Sequence, residues 1–158
     1  MADARFEDGA EKPLYLGAMD AADLEVISTL VQDAVFPVTE MRFDRNRRRF
    51  ALLVNRFRWE DRAAADRAGR GYERVQAVLA FEAVLAVRTQ CISRGERDLV
   101  LSLLAIRFEP GAEGAGRVVL VLAGDGALAL EVEALDVTLK DVTRPYLAPS
   151  HRAPGHDG

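Results

Sequence analysis

The apolar residues change their period twice within the first third of the chain. Leu14, Tyr15, Leu16, Gly17 and Ala18 form a short apolar run that reads as a strand. Asp20 then stands where a helix N-cap is expected, and Asp23 and Glu25 fall in the first turns, where the helix dipole favours acids. Leu24, Ile27 and Val31, with Leu30 beside them, recur at helical spacing. This predicts one helix over residues 21–33 whose apolar stripe lies on a sheet. From residue 34 the period becomes two. Met41 and Phe43 approach a turn-like Asp44, Arg45, Asn46, Arg47, and residues 50–57 leave it as a strongly apolar strand, which together is a hairpin signature.

Residues 58–71 carry no strand pattern and admit either a short helix ended by Gly69 or a mobile loop. Residues 75–90 read as one long strand or two joined by a bend, and 99–108 as another. A last pair spans 117–123 and 127–139, and Gly124, Asp125 and Gly126 between them supply the positive φ that a tight hairpin needs.

Residues 50–57, FALLVNRF, align with 101–108, LSLLAIRF, at an offset of 51 that puts Arg56 on Arg107 and Phe57 on Phe108. The same offset puts 81–87 on 132–138, with Glu82 on Glu133, and the 44–47 turn on 95–98. Agreement of separate stretches on one offset is the mark of an internal repeat. The expected organisation is a loose acidic leader at 1–13, one globular domain at 14–143 with two pseudo-repeats of about 35–90 and 91–141, and a flexible tail at 144–158. The expected fold class is α+β, mainly antiparallel β, with one N-terminal helix packed on an internally duplicated β core. Pleckstrin-homology-like or barrel-like closure is one way such a core hides its strand edges.

Composition narrows the setting. With 158 residues, 49% hydrophobic and 29% charged, the chain has ordinary globular content and needs no covalent staples. The single cysteine, Cys91, cannot form an internal disulfide, which fits a reducing cytoplasm. The first thirteen residues lack the apolar stretch of a signal peptide, and no apolar run approaches the about 20 residues that cross a bilayer. The expectation is a cytoplasmic protein that is not embedded in a membrane. Net charge is −4, yet residues 40–74 hold eleven arginines against six acids. Nineteen of the 21 basic residues are Arg, so an arginine alone is weak evidence of function.

Candidate chemistry is sparse. The only histidines, His151 and His156, fall in the tail, which removes the commonest general base and metal ligand from the core. No metal site and no cofactor is expected, and Cys91 reads as a buried inert thiol at a strand end. Ser28, Ser93, Ser102 and Ser150 lie outside any nucleophile-elbow pattern, and the glycines of PGAEGAG at 110–116 join strands instead of opening a helix. Glu82 and Glu133 alternate with apolar residues and read as solvated outward positions.

Arg56 and Arg107 end rows of apolar residues. The structural reading bridges each to a carboxylate such as Asp33 or Glu109. The functional reading sets both guanidinium forks in a shared crevice for an anionic ligand, with Asp33 and Asn55 nearby. Arg42, Arg45, Arg47, Arg48 and Arg49 cluster at one turn with aromatic residues, Trp59 among them, in sequence reach. Arg45, Arg47, Arg48 and Trp59 are thus the candidate contacts for nucleic acid or a partner. The acidic whole argues against nucleic acid.

The segments QDA at 32–34, RRFAL at 48–52, NRF at 55–57 and LLAIRFEPG at 103–111 resemble a family of uncharacterised alphaproteobacterial proteins, a domain of unknown function. The resemblance covers nearly the whole chain outside leader and tail. It implies a free-standing bacterial protein and brings no activity, substrate or cofactor with it. The favoured expectation is a non-enzymatic binding or protein-interaction module whose partner is a protein or a small anionic ligand. A nucleic-acid binder using the 42–49 tip and a small enzyme without His or Cys catalysis are the alternatives. A homodimer stays open.

Overall fold

The computed structural model describes residues 13–92, 99–148 and 154. The leader up to residue 12, residues 95–98 that the offset sets on the first turn, and both histidines lie outside them. Strands form at Tyr15–Ala18 (β1), Val35–Pro37 (β2), Met41–Asp44 (β3), Arg49–Phe57 (β4), Glu73–Phe81 (β5), Val84–Gln90 (β6), Val100–Pro110 (β7), Gly116–Leu122 (β8), Ala127–Val132 (β9), Val137–Asp141 (β10) and Tyr146–Leu147 (β11). Helices form at Ala21–Leu30 (α1) and Arg62–Ala68 (α2). The strands join in the order β1-β10-β5-β4-β2-β7-β8-β9-β6, with β11 added to β5 and β3 to β4, and every pairing is antiparallel.

Asp20 caps α1 by accepting from the Asp23 amide at 2.8 Å. Leu24 and Ile27 are buried, and the helix packs on β1 and β7. It ends at Leu30, short of the expected residue 33, because the chain turns away at Asp33 with φ 63 and donates the Asp33 amide to the Leu103 carbonyl. Each buried Leu or Phe in the core beneath stabilises by roughly 1.5–3 kcal/mol.

The expected α+β class with a single helix is overturned. The chain is mostly antiparallel sheet with two short helices, the second being α2. This second helix forms because Arg62–Ala68 is an alanine-rich heptad that stops at Gly69, whose φ of 64 is the left-handed conformation glycine adopts without strain. Residues 146–148 belong to the folded part: Tyr146 pairs with Arg74, Leu147 with Glu73, and Ala148 is buried.

The strands equated by the 51-residue offset have unlike neighbours. β4 lies beside β5 on one edge and β2 and β3 on the other, whereas β7 lies between β2 and β8. A bulge in β7 between Leu103 and Ala105 also breaks its alternation. Leu101 and Leu103 point inward, then Ile106 does, and Arg107 is exposed. One inserted residue reverses which face every later side chain occupies. The Ile106 amide donates to the Ser28 hydroxyl of α1 at 2.9 Å.

β5 breaks at residues 82–83, with Ala83 at φ 56, and continues as β6. β5 pairs with β10, while β6 pairs with β9. The ladder from β4 to β5, the chain from β5 into β6, and the ladders from β6 through β9, β8, β7 and β2 lead back to β4. Along this path one seam is unzipped: β3 pairs only with β4 and β6 only with β9, so each has one edge without a strand partner among the described residues.

Candidate functional site

Arg56 closes the buried row of Phe50, Leu52 and Val54 on β4 and is itself fully buried. Its Nε and Nη2 donate to Asp141 Oδ1 and Oδ2 at 3.0 and 2.9 Å. Nη1 and Nη2 donate to the two oxygens of Glu60 at 2.8 and 2.7 Å, and Nη1 also reaches the Phe57 carbonyl at 3.4 Å. These five bonds use all five N–H groups of a guanidinium. Its partners are therefore Asp141 and Glu60, where the sequence suggested Asp33 or Glu109. Burial opposes the charge on Arg56, but the bonds it donates to Glu60 and Asp141 outweigh it and raise its pKa. Burial likewise pushes the Glu60 carboxyl up, and Arg56 more than compensates, holding it below the ordinary range.

A second group of charges abuts this one. Arg58, buried, donates to Glu73 at 2.6 Å, and Arg70 grips Asp61 through two bonds of 2.6 and 2.7 Å. The Arg70 bonds hold the Asp61 carboxyl below its usual range against the effect of burial, with the Arg58 charge adding to them. Asn55 accepts from Arg74 through its side-chain oxygen and its carbonyl and donates to the Tyr146 hydroxyl. Burial pulls the half-buried Arg74 below its ordinary range, and the Asp33 charge works the other way. Asp33 and Asn55 thus gather at Arg74, which the sequence reading did not single out.

Arg107 is exposed beyond the β7 bulge, so it and Arg56 do not line one crevice. The arginine tip is dispersed too. Arg48 pairs with Glu133 at 2.7 Å, Arg49 with Glu82 at 2.6 Å and Arg47 loosely with Asp44 at 3.9 Å. Glu82 and Glu133 are therefore paired at the surface, not merely solvated. Trp59 lies past the opposite end of β4, where its indole N–H donates to the Gln32 carbonyl at 2.9 Å and its ring packs edge-on to Phe57. Cys91 follows β6 in a left-handed conformation and is exposed, against the expectation of a buried thiol.

The open seam holds a groove of about 740 Å³ between β3 and β6. Val38, Met41 and Phe43 form one bank, Leu85 and Val87 the other, and Phe50 and Leu128 the floor. Arg45 stands at the rim with its guanidinium 5.8 Å from the Phe43 ring centroid. Thr39 and Thr89 are the other polar side chains of the lining. Two backbone bonds adjoin the lining: the amide of Val84, next to Leu85, donates to the Arg48 carbonyl at 2.7 Å, and the Val38 amide to the Leu99 carbonyl at 2.9 Å.

A family model described as a protein of unknown function, DUF2948, matches residues 14–156. The chain belongs to that family. No curated protein and no solved structure matches it. In this DUF2948 chain no helix among the described residues is long and apolar enough to cross a membrane, and no group of three or more His, Cys, Asp or Glu among them is placed to hold a metal.

The sequence reading of this DUF2948 member missed Glu60, Asp141, Arg74 and most of the groove lining. Glu60 stands four residues from Arg56, yet across the end of a strand, where that spacing carries no rule. The groove left one trace: Leu85, Val87 and Thr89 alternate on a strand that reads as ordinary core.

Proposed function

We propose that this chain is a non-enzymatic binding module whose recognition surface is the groove between β3 and β6. The observation that carries the reading is the groove's chemistry: apolar banks and floor, two threonines, and one arginine at the rim. A concave apolar site with a few placed polar groups is the usual form of a binding pocket, and its volume falls within the roughly 300–1,000 Å³ of such sites. No lining residue is an acid, a histidine, a lysine or a cysteine, which supports binding over proton transfer or nucleophilic chemistry. The anionic-ligand expectation moves with this reading from Arg56, whose donors are all engaged, to Arg45. The nucleic-acid alternative draws less support, since Arg47, Arg48 and Arg49 each already face a carboxylate.

The test is a titration of the full chain with anilinonaphthalene sulfonate, an apolar anion, followed by amide NMR shifts. Binding centred on Phe43, Arg45 and Val87, weakened by Arg45→Glu and by Leu85→Glu, is the expected outcome. Shifts spread over unrelated surfaces, or binding indifferent to both variants, would overturn the reading.

A further inference from the structure

We infer that the groove's occupant is an extended, acidic peptide segment that adds as a strand along the free edge of β6, a deepening that rests on the groove being the recognition surface. Strand addition needs an unpaired strand edge with side-chain pockets beside it. β6 pairs with β9 along one edge; along the other only the Val84 amide is engaged, by the Arg48 carbonyl, and no strand pairs there or on the seam side of β3 among the described residues.

The lining shows that the groove reaches this edge. Val87 and Thr89 stand opposite Leu130 and Leu128, both buried, so they face inward. Ala86 stands opposite Glu131, which bonds to Arg117 on the outer face, and yet Ala86 also lines the groove. Residues from both faces of one strand border the same space only where its backbone edge does.

Leu85 is the bulged residue of β6, and a bulge normally blunts an edge. It sits beside the bond from the Val84 amide to the Arg48 carbonyl, however, and the register from Ala86 to Gln90 is regular. At roughly 3.3 Å per residue this stretch matches a segment of about five residues, with alternate side chains dropping toward Val87 and Phe43.

Charge selects the partner. Arg45 at the rim, and Arg42 of β3 and Arg88 of β6 on the outward faces of the two bordering strands, have no carboxylate partner among the described residues, and Glu40 is the one carboxylate there left unpaired. The chain as a whole carries −4, so this patch is locally basic on an acidic protein. Acids flanking an apolar, alternating segment meet those guanidinium groups; a basic segment meets repulsion.

Selection of a random peptide library of about twelve residues on the immobilised full chain tests this directly. The expected winners alternate apolar residues between acidic flanks and lack proline at the centre. Bound winners protect the amides of residues 86–90 from hydrogen exchange. A central proline, which removes a ladder donor, lowers affinity roughly tenfold, the size of one lost hydrogen bond. Joint Arg42→Glu and Arg45→Glu substitution lowers it similarly, and lysine-flanked peptides regain binding to that variant. An empty selection, proline-tolerant winners or protection elsewhere overturns the strand proposal. If the sulfonate dye still seats in the groove in that case, the binding-module reading survives with a small apolar anion as ligand; if neither binds there, both fall.

Discussion

Arg56 and Asp141 meet through two parallel N–H···O bonds, Nε to Oδ1 at 3.0 Å and Nη2 to Oδ2 at 2.9 Å, between strands 85 residues apart in sequence. Asp141 also takes the Leu14 amide on Oδ2, so one carboxylate joins β4, β10 and the start of β1. Removing the cation leaves two carboxylates facing each other with little water. Arg56→Ala is expected to cost about 3–5 kcal/mol of stability, measured by urea unfolding. Arg56→Lys keeps the charge and loses the fork, and an intermediate cost is expected. A loss under about 1 kcal/mol for the alanine variant would mean that the pair behaves as a solvated one.

The same cluster sets the acid limit. Glu60 and Asp61 are held below their unfolded values, so their contribution is complete above the ordinary carboxylate range of about 4–4.5 and disappears as pH falls through the folded values. Stability is expected to drop steeply between about pH 5 and pH 2. Glu60→Gln with Asp61→Asn lowers stability at neutral pH and flattens this slope. An unchanged slope in the double variant, read by unfolding midpoints across pH, would assign the acid sensitivity elsewhere.

Ser28 does its work at the β7 bulge, accepting the Ile106 amide. Ser28→Ala leaves that amide without its partner and is expected to cost about 1–2 kcal/mol. Hydrogen exchange at Ile106 should quicken more than at Leu120, its neighbour across the ladder. Equal effects at both would point to general destabilisation only.

Gly116 opens β8 so close to β7 that an added Cβ would lie 2.4 Å from the Glu109 carbonyl oxygen and 2.8 Å from the Phe108 ring. Gly116→Ala therefore forces the strands apart at about 1–3 kcal/mol. Gly17→Ala is the contrast, since the nearest atom there is 3.9 Å away, and its thermal midpoint should stay near that of the parent.

The elements that were legible along the chain are those built by neighbours. Asp20 and the Leu24, Ile27 pair specify α1, the alanine run ending at Gly69 offers α2 as only one of two readings of residues 58–71, and Gly124 with Asp125 specifies the last hairpin, both in positive φ as the turn requires. Even the break near residue 82 shows as an ambiguity between one strand and two. Each depends on side chains and backbone conformations within a few residues, which the sequence states directly.

The candidate site was far less legible. Arg56 at the end of a buried row is visible in the alternation of β4, but Asp141 as its partner is not, because every acid of the chain is equivalent until β10 is laid beside β5 and β1. Arg107 follows the same local pattern and ends outside, because a single bulge between Leu103 and Ala105 reverses the faces of β7. The groove is purely tertiary. Val87 and Thr89 alternate as core residues do, and only the failure of β3 and β6 to pair turns that row into the bank of an open seam. Local patterning by itself determined where strands and helices form and which side chains avoid water. The pairing of distant strands alone decided which charges meet and which edge stays free, since those depend on contacts that no short stretch of sequence contains.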